Sequence, residues 1–345
     1  MHCPRCTFPI EPVVTQGVEV DHCGRCQGTF FDPGEAPRVF GEGARFENWR
    51  DLWAAHETKP SLLRCPKDAT RMLAHTVSLR DESVVVDSCA HCHSMWLDCD
   101  EGKQLHALVE GALAAEQKAL QGHGTGGYLF QFFTQLPLEV WNPLRHRPHL
   151  VRGLLVLLAA CFALEQLAKA PLGAQRGLWM LIPSEVLAGQ HTWTLLTHGF
   201  LHAGWMHLLG NLYFLWIFGD NVEDRLGKRD FVIVYAAALV AGGLAHSFAH
   251  PHSHAPLLGA SGAIAGLMGA YLVLFPRVKL WVMLLVVRVR VRVTWYLGLW
   301  LALQVVMQSL GVHGTAWMAH LGGFAAGALT ALLLRPRPAL QRLQA

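Results

Sequence analysis

Gly259-Ala260-Ser261-Gly262-Ala263-Ile264-Ala265-Gly266 stands at the head of a long apolar run, and Ala319-His320-Leu321-Gly322-Gly323 opens another. Glycines 262, 266 and 269 fall on one helix face, as do Gly323 and Gly327 counted from His320. Small faces of this kind let membrane helices approach backbone to backbone. Ser261 and His320 each stand at the start of one such face, so packing the two together sets a hydroxyl beside an imidazole, a nucleophile beside a base. Taken singly, the first motif also reads as a tight helix start capped by serine, and the histidine as an interfacial residue. The chemistry lies in the pair.

Apolar residues make up 52% of the 345, high for a soluble protein, and the bias is local. Residues 1–120 hold most of the acidic residues and eight of the nine cysteines, whereas residues 150–335 carry repeated apolar stretches of membrane-spanning length. The expected fold is an α-helical polytopic membrane protein with a small soluble head. Met1-His2-Cys3-Pro4-Arg5-Cys6 lacks a basic region followed by an apolar core, so it does not read as a cleaved signal, and the head is expected in the cytoplasm. The net charge of +3 is small, and basic residues gather beside apolar segments, which argues for membrane orientation and against a nucleic-acid partner.

In the head, Cys3-Pro-Arg-Cys6 and Cys23-Gly-Arg-Cys26, sixteen residues apart, can supply four thiolates to one tetrahedral zinc ion. Two disulfides are the alternative, disfavoured in a reducing compartment. Val20 to Cys26 with Phe30-Phe31-Asp32 and Glu35 recurs as Val86 to Cys92 with Trp96-Leu97-Asp98 and Glu101, at a constant offset of 66. The second copy opens with Cys65-Pro66-Lys67-Asp68, so the expected second site is Cys65, Asp68, Cys89 and Cys92, with His75, His91, His93 and Cys99 as competing ligands. These modules, residues 1–40 and 61–107, resemble the zinc ribbons related to that of transcription factor IIB. The resemblance implies structural Zn²⁺. Ribbons serve several roles, and without a dense basic run interleaved with aromatics, docking of a cytoplasmic protein or regulation is favoured here over nucleic acid.

Residues 108–148 read as a connector. Leu105, Leu108, Val109, Leu113 and Ala114 keep helical spacing, Gly122-His123-Gly124-Thr125-Gly126-Gly127 reads as a flexible hinge, and the aromatics and cations from Tyr128 to Pro148 suit an interfacial segment or an ordinary linker.

Within residues 149–335 six spans are expected, near 150–168, 203–219, 231–248, 260–275, 294–311 and 316–334, with a cytoplasmic tail at 336–345. Arg145, Arg147 and Arg152 precede the first; Arg225, Lys228 and Arg229 follow the second; Arg277, Lys279, Arg288, Arg290 and Arg292 follow the fourth; Arg335, Arg337 and Arg342 follow the sixth. All four sets share one side if both termini are cytoplasmic. Ser261 and His320 then lie at one depth near the outer face, level with His198, His202, His207 and Asn211 at the start of span 2. Val287-Arg-Val-Arg-Val-Arg-Val293 alternates strictly, which suits a strand better than a span. The outer histidines 246, 250, 252 and 254 form either a metal site or an incidental cluster.

His202-x4-His207-x3-Asn211, Val222-Glu-Asp-Arg-Leu-Gly227, Gly259-x-Ser261-Gly262 and Ala319-His320-x2-Gly323-x3-Gly327, in that order, resemble the rhomboid intramembrane serine proteases. The resemblance implies a six-helix bundle with Ser261 as nucleophile and His320 as general base, a dyad because span 6 holds no Asp or Glu. It implies an oxyanion site made by the Ser261 backbone N–H with Asn211 and His207, although these two side chains also read as interhelical hydrogen-bonding groups. His202, Gly259, Gly262, Gly323 and Gly327 are expected to be structural. Substrates would be membrane proteins whose helix unwinds near the outer face of the bilayer, because helical amides are otherwise internally bonded. A lateral gate is implied at residues 294–318, with Trp295, Trp300 and Trp317. The rival readings are an inactive relative that binds or escorts membrane proteins, and a metal-handling transporter, the latter weakened by the lack of acidic residues at mid-membrane.

Overall fold

The computed structural model describes residues 1–40, 58–79, 82–120, 124–140, 142, 144, 146–167, 178–312 and 314–334. The tail at 336–345, Arg335, Arg145, Trp141, residue 168 and Gly122-His123 of the glycine run lie outside the described residues. The chain divides into two compact units, one running from Met1 to Lys118 and the other from Ala119 to Pro336.

The first unit is one antiparallel sheet. Strands β1 (Glu11–Thr15), β2 (Val18–His22) and β3 (Thr29–Phe31) come from the first sequence copy, and β4 (Thr58–Arg64), β5 (Arg71–Leu79), β6 (Glu82–Ser88) and β7 (Met95–Leu97) from the second. Their order is β1-β2-β3-β7-β6-β5-β4. The copies join through β3 and β7, where Phe30 faces Trp96, its own counterpart in the repeat, so the pairing is two-fold symmetric about that point. Salt bridges follow the same symmetry: Arg5 reaches Asp98 at 2.9 Å, and Lys67, which takes the place of Arg5 in the second copy, reaches Asp32 at 2.6 Å. Two modules expected as separate units therefore share one sheet. Each copy ends in a helix, α1 (Glu35–Phe40) or α2 (Glu101–Leu120), opened by the same capping contact. The Asp32 and Asp98 backbone N–H groups donate to Glu35 and Glu101 at 2.7 Å, each satisfying an orphan donor at a helix start.

In the second unit the glycine run does not remain a hinge throughout, since helix α3 (Gly124–Thr134) begins within it. Gln131 of α3 donates to the Trp281 carbonyl at 2.8 Å, tying it to the hairpin β9 (Lys279–Leu284) and β10 (Val287–Arg292), on which β8 (Leu138–Glu139) also pairs. The alternating arginines form β10, and Arg288 and Arg290 lie over the Trp281 ring at 4.9 and 5.4 Å, cation–π contacts made across the hairpin.

Among the described residues six longer helices follow: α4 (His149–Leu167), α5 (Trp205–Leu226), α6 (Lys228–Ala249), α7 (Ser261–Leu274), α8 (Val293–Ser309) and α9 (Trp317–Leu334). Three of them, α4, α6 and α9, are long and apolar enough to cross a membrane. Helix α7 is apolar but has only 14 residues, about 21 Å at 1.5 Å per residue. It is buried on every side from Gly262 to Tyr271, as expected of a helix that is small and apolar all round. By contrast α8 buries only Val293, Leu297 and Gln304, one stripe. Helices α5, α6 and α9 pack on α7, α4 packs on α5, and α8 lies against α9 and α7.

Glycine decides the closeness of α6, α7 and α9. A β-carbon on Gly323 would overlap the Gly262 carbonyl, one on Gly327 the Gly266 carbonyl, and one on Gly242 would stand 2.7 Å from the Ala319 oxygen. These contacts place backbone on backbone, where no side chain could yield. At the far end of the bundle, the buried Glu223 carboxylate of α5 accepts the Leu150 and Val151 N–H groups at 3.0 and 2.8 Å, holding the first turn of α4.

Candidate active site and metal centres

Ser261 is the first residue of α7 and His320 lies in the first turn of α9. The glycine contacts between these helices bring the His320 Nε2 to 2.9 Å from the Ser261 Oγ. Gly259, two residues earlier, has φ +116°, a conformation that favours glycine, and its N–H donates to the His198 carbonyl at 2.9 Å. A β-carbon there would also meet the His207 ring, 2.5 Å from Cε1 and 2.7 Å from Nε2. The chain thus turns sharply into α7, and the amides at the start of a helix have no intrahelical acceptor.

His207 and Asn211 lie one turn apart on α5. The Ala203 N–H meets the His207 Nδ1 at 3.4 Å, which leaves Nε2 to carry the proton and act as a donor. Asn211 is 6% exposed, and among the described residues its Nδ2 has no hydrogen-bond partner. A buried donor without an acceptor is costly, and such groups persist where an acceptor arrives in use. His202 is fully buried before α5, its ring edge-on to His207 at 5.3 Å.

One residue of this site escaped sequence reasoning. The Gln304 Oε1 on α8 lies 2.7 Å from the His320 Nδ1, and Gln304 is only 3% exposed. Its signal was available, since a polar side chain within an apolar span is a functional candidate by default. It is a neutral amide, whereas the expectation of an orienting group weighs only acids. The outer histidines form no three-ligand cluster among the described residues: the His246 and His250 rings lie 4.6 Å apart, but His250 Nδ1 meets the His246 carbonyl at 3.1 Å, and His254 Nδ1 the Ser184 hydroxyl at 3.1 Å.

In the first unit, one ligand atom each from Cys3, Cys6, Cys23 and Cys26 lies within 4.8 Å of the other three, as do those of Cys65, Asp68, Cys89 and Cys92. The sulfur pairs Cys3–Cys26 and Cys6–Cys23 stand 3.4 and 3.5 Å apart, close to the spacing of about 3.8 Å that Zn–S bonds of 2.3 Å imply in a tetrahedron. Each site is built from two turns of the same design. Cys3, Cys23, Cys65 and Cys89 each accept at their carbonyl the N–H of the residue four on (Thr7, Gln27, Ala69 and His93), and that residue is left-handed in all four. The turn at Cys65–Asp68 is therefore complete although its last ligand is oxygen. Burial pushes the Cys3 and Cys65 thiols up to about 12, which disfavours a bare thiolate at either position. Asp68 is held well below the usual carboxylate range, first by the Thr70 N–H and then by His91, and stays ionised. Its Oδ2 meets the His91 Nδ1 at 2.9 Å, the support that ligating carboxylates commonly receive. His75 instead bonds Ser88 at 2.8 Å, and Cys99 is exposed outside the cluster.

Helices long and apolar enough to span a bilayer, with a serine and a histidine joined by a hydrogen bond inside the bundle, define an integral membrane protein. Residues 189–337 match the family described as Rhomboid domain and residues 2–40 that described as Transcription factor zinc-finger. Among its relatives, Rhomboid protein 1, mitochondrial, of Saccharomyces cerevisiae is 32% identical over 39% of this chain and 39% of its own length. Rhomboid protease GlpG of Klebsiella pneumoniae is 32% identical over 34% of this chain and 40% of its own. Rhomboid protease GluP of Bacillus subtilis is 39% identical over 26% of this chain and 17% of its own. In each case the match spans less than half of the relative.

Proposed function

We propose that this chain is an intramembrane serine endopeptidase that cleaves transmembrane segments of other membrane proteins near the outer face of the bilayer. The observation that carries the reading is the 2.9 Å bond between Ser261 Oγ and His320 Nε2 in a helix bundle matched by the rhomboid family. In this reading Ser261 attacks the scissile carbonyl while Nε2 takes its proton, then returns that proton to the leaving amine. The oxyanion is met by the Ser261 N–H, the unpaired Asn211 Nδ2 and the His207 Nε2. Residues 149–335 form six spans with both termini cytoplasmic. Helix α7, at about 21 Å against a hydrocarbon core of about 30 Å, begins below the outer surface, which puts the site within reach of both water and a substrate helix.

Zn²⁺ is assigned to both cysteine clusters as a structural ion, where it would cross-link the turns of each ribbon. The ribbons would serve docking or regulation from the cytoplasm, and deletion of residues 1–121 with no change in cellular cleavage would remove that part. The protease reading is tested by labelling the purified chain with a serine-directed fluorophosphonate. Wild type should label, while Ser261→Ala and His320→Ala should not. A folded wild type that neither labels nor cleaves would favour a binder or escort of membrane proteins instead.

A further inference from the structure

We infer that Gln304 is the positioning residue of the site, setting which nitrogen of His320 carries the proton. It does so from a third helix. The Oε1 lies 2.7 Å from Nδ1, and Gln304 is the one polar member of the buried stripe of α8. One turn earlier on the same face, Trp300 covers the imidazole, ring centroids 5.9 Å apart. Helix α8 thus meets His320 at Nδ1 and beside its ring, while Trp317 of α9 meets the imidazole edge-on at 6.4 Å.

A primary amide can meet Nδ1 in two ways, as acceptor through Oε1 or as donor through Nε2. Only the first leaves the imidazole Nε2 with a free lone pair. The proton then sits on Nδ1, and the His320 Nε2 can accept from the Ser261 hydroxyl 2.9 Å away. The opposite setting would protonate Nε2 and disable it as a base. Helix α9, Trp317–Leu334, contains no carboxylate to make the choice, and the group that meets Nδ1 is the amide oxygen of Gln304. As the serine oxygen bonds to the carbonyl carbon, its proton passes to Nε2, and the resulting imidazolium keeps its Nδ1–H on the amide oxygen. The same proton then leaves Nε2 for the departing amine.

This inference rests on the protease reading, and the test separates the two. Full-length wild type, Gln304→Leu and Gln304→Glu are compared for cleavage of a transmembrane substrate in detergent. Alongside, ¹⁵N resonances of histidine-labelled protein are recorded, with His320 assigned by difference from His320→Ala. Gln304→Leu should lower kcat about 10- to 100-fold with KM unchanged, and Gln304→Glu should recover most of the rate, because its carboxylate can only accept. The wild-type imidazole should be protonated at Nδ1 near neutral pH, and Gln304→Leu should show a mixture. Wild-type kcat in Gln304→Leu, equal losses with rising KM in both variants, or a wild-type imidazole protonated at Nε2 would each overturn the assignment. If Gln304→Leu does not fold, the wild-type tautomer and the activity of Gln304→Glu decide the matter. Absence of cleavage in wild type with the Nδ1 proton in place would fault the protease reading and leave the positioning role standing.

Discussion

The backbone approach of α9 to α7 beside the site gives the sharpest test. Replacing Gly323 by alanine puts a β-carbon 2.8 Å from the Gly262 carbonyl carbon, with the carbonyl oxygen nearer still. Carbon pairs rest at about 3.5 Å or beyond, so α7 and α9 must part by at least about 0.7 Å. Neither neighbour is a flexible side chain, hence the whole displacement passes to the helix ends where Ser261 and His320 stand. Their 2.9 Å bond is stretched past about 3.5 Å and ceases to be a useful hydrogen bond. Overpacking of this kind costs about 1–3 kcal/mol, within what a folded bundle survives, whereas a misplacement near 1 Å can cost about 100-fold in rate. The assay is the second-order rate of fluorophosphonate labelling, read beside thermal unfolding in the same detergent. Gly298→Ala is the control, because a β-carbon there meets nothing within 4 Å. Gly323→Ala should remain folded and label about 100-fold more slowly, with Gly298→Ala unchanged. Wild-type labelling by Gly323→Ala would show that contact between α7 and α9 does not set the spacing of the pair, and the argument from the glycine faces would fail.

Further outcomes follow from the same geometry. Gly259→Ala forces an alanine into φ +116° and against the His207 ring; strain of about 1–3 kcal/mol and loss of cleavage are expected, read by substrate gel and unfolding midpoint. Glu223→Ala strips two helix-start amides of their acceptor; it should destabilise the bundle by about 1–3 kcal/mol, while Glu223→Gln recovers part, seen in detergent melts. Metal analysis of the intact chain should find two zinc ions; Cys23→Ser should remove one, Asp68→Ala should weaken the other by about 10-fold or more, and Asp68→Cys should restore it. Undiminished affinity in Asp68→Ala would shift the fourth ligand to His91.

Patterns confined to one stretch of chain were legible beforehand, because their physics is local. Cysteine pairs with two residues between them announce a metal turn, small residues at helical spacing announce a close face, and the alternating arginines of β10 announce extended backbone. Apolar length marked where helices form, although only α4, α6 and α9 among the described residues are long and apolar enough to cross a membrane and α7 proved shorter than the expected stretch, since a helix enclosed by neighbours has no need to reach both interfaces on its own.

What only tertiary structure decided concerns groups that meet across long separations. The pairing of Phe30 with Trp96, which makes one sheet of two ribbons, depends on strand edges whose partners no local pattern names. Sequence marked Ser261 and His320 as partners only by chemistry, and their distance is set by backbone contacts between α7 and α9. The contact of Gln304 with His320 rests on the rotation of α8 about its axis, which comes from packing one buried stripe against its neighbours. The residues were nameable from composition and spacing; which nitrogen faces which oxygen was a property of the assembled bundle.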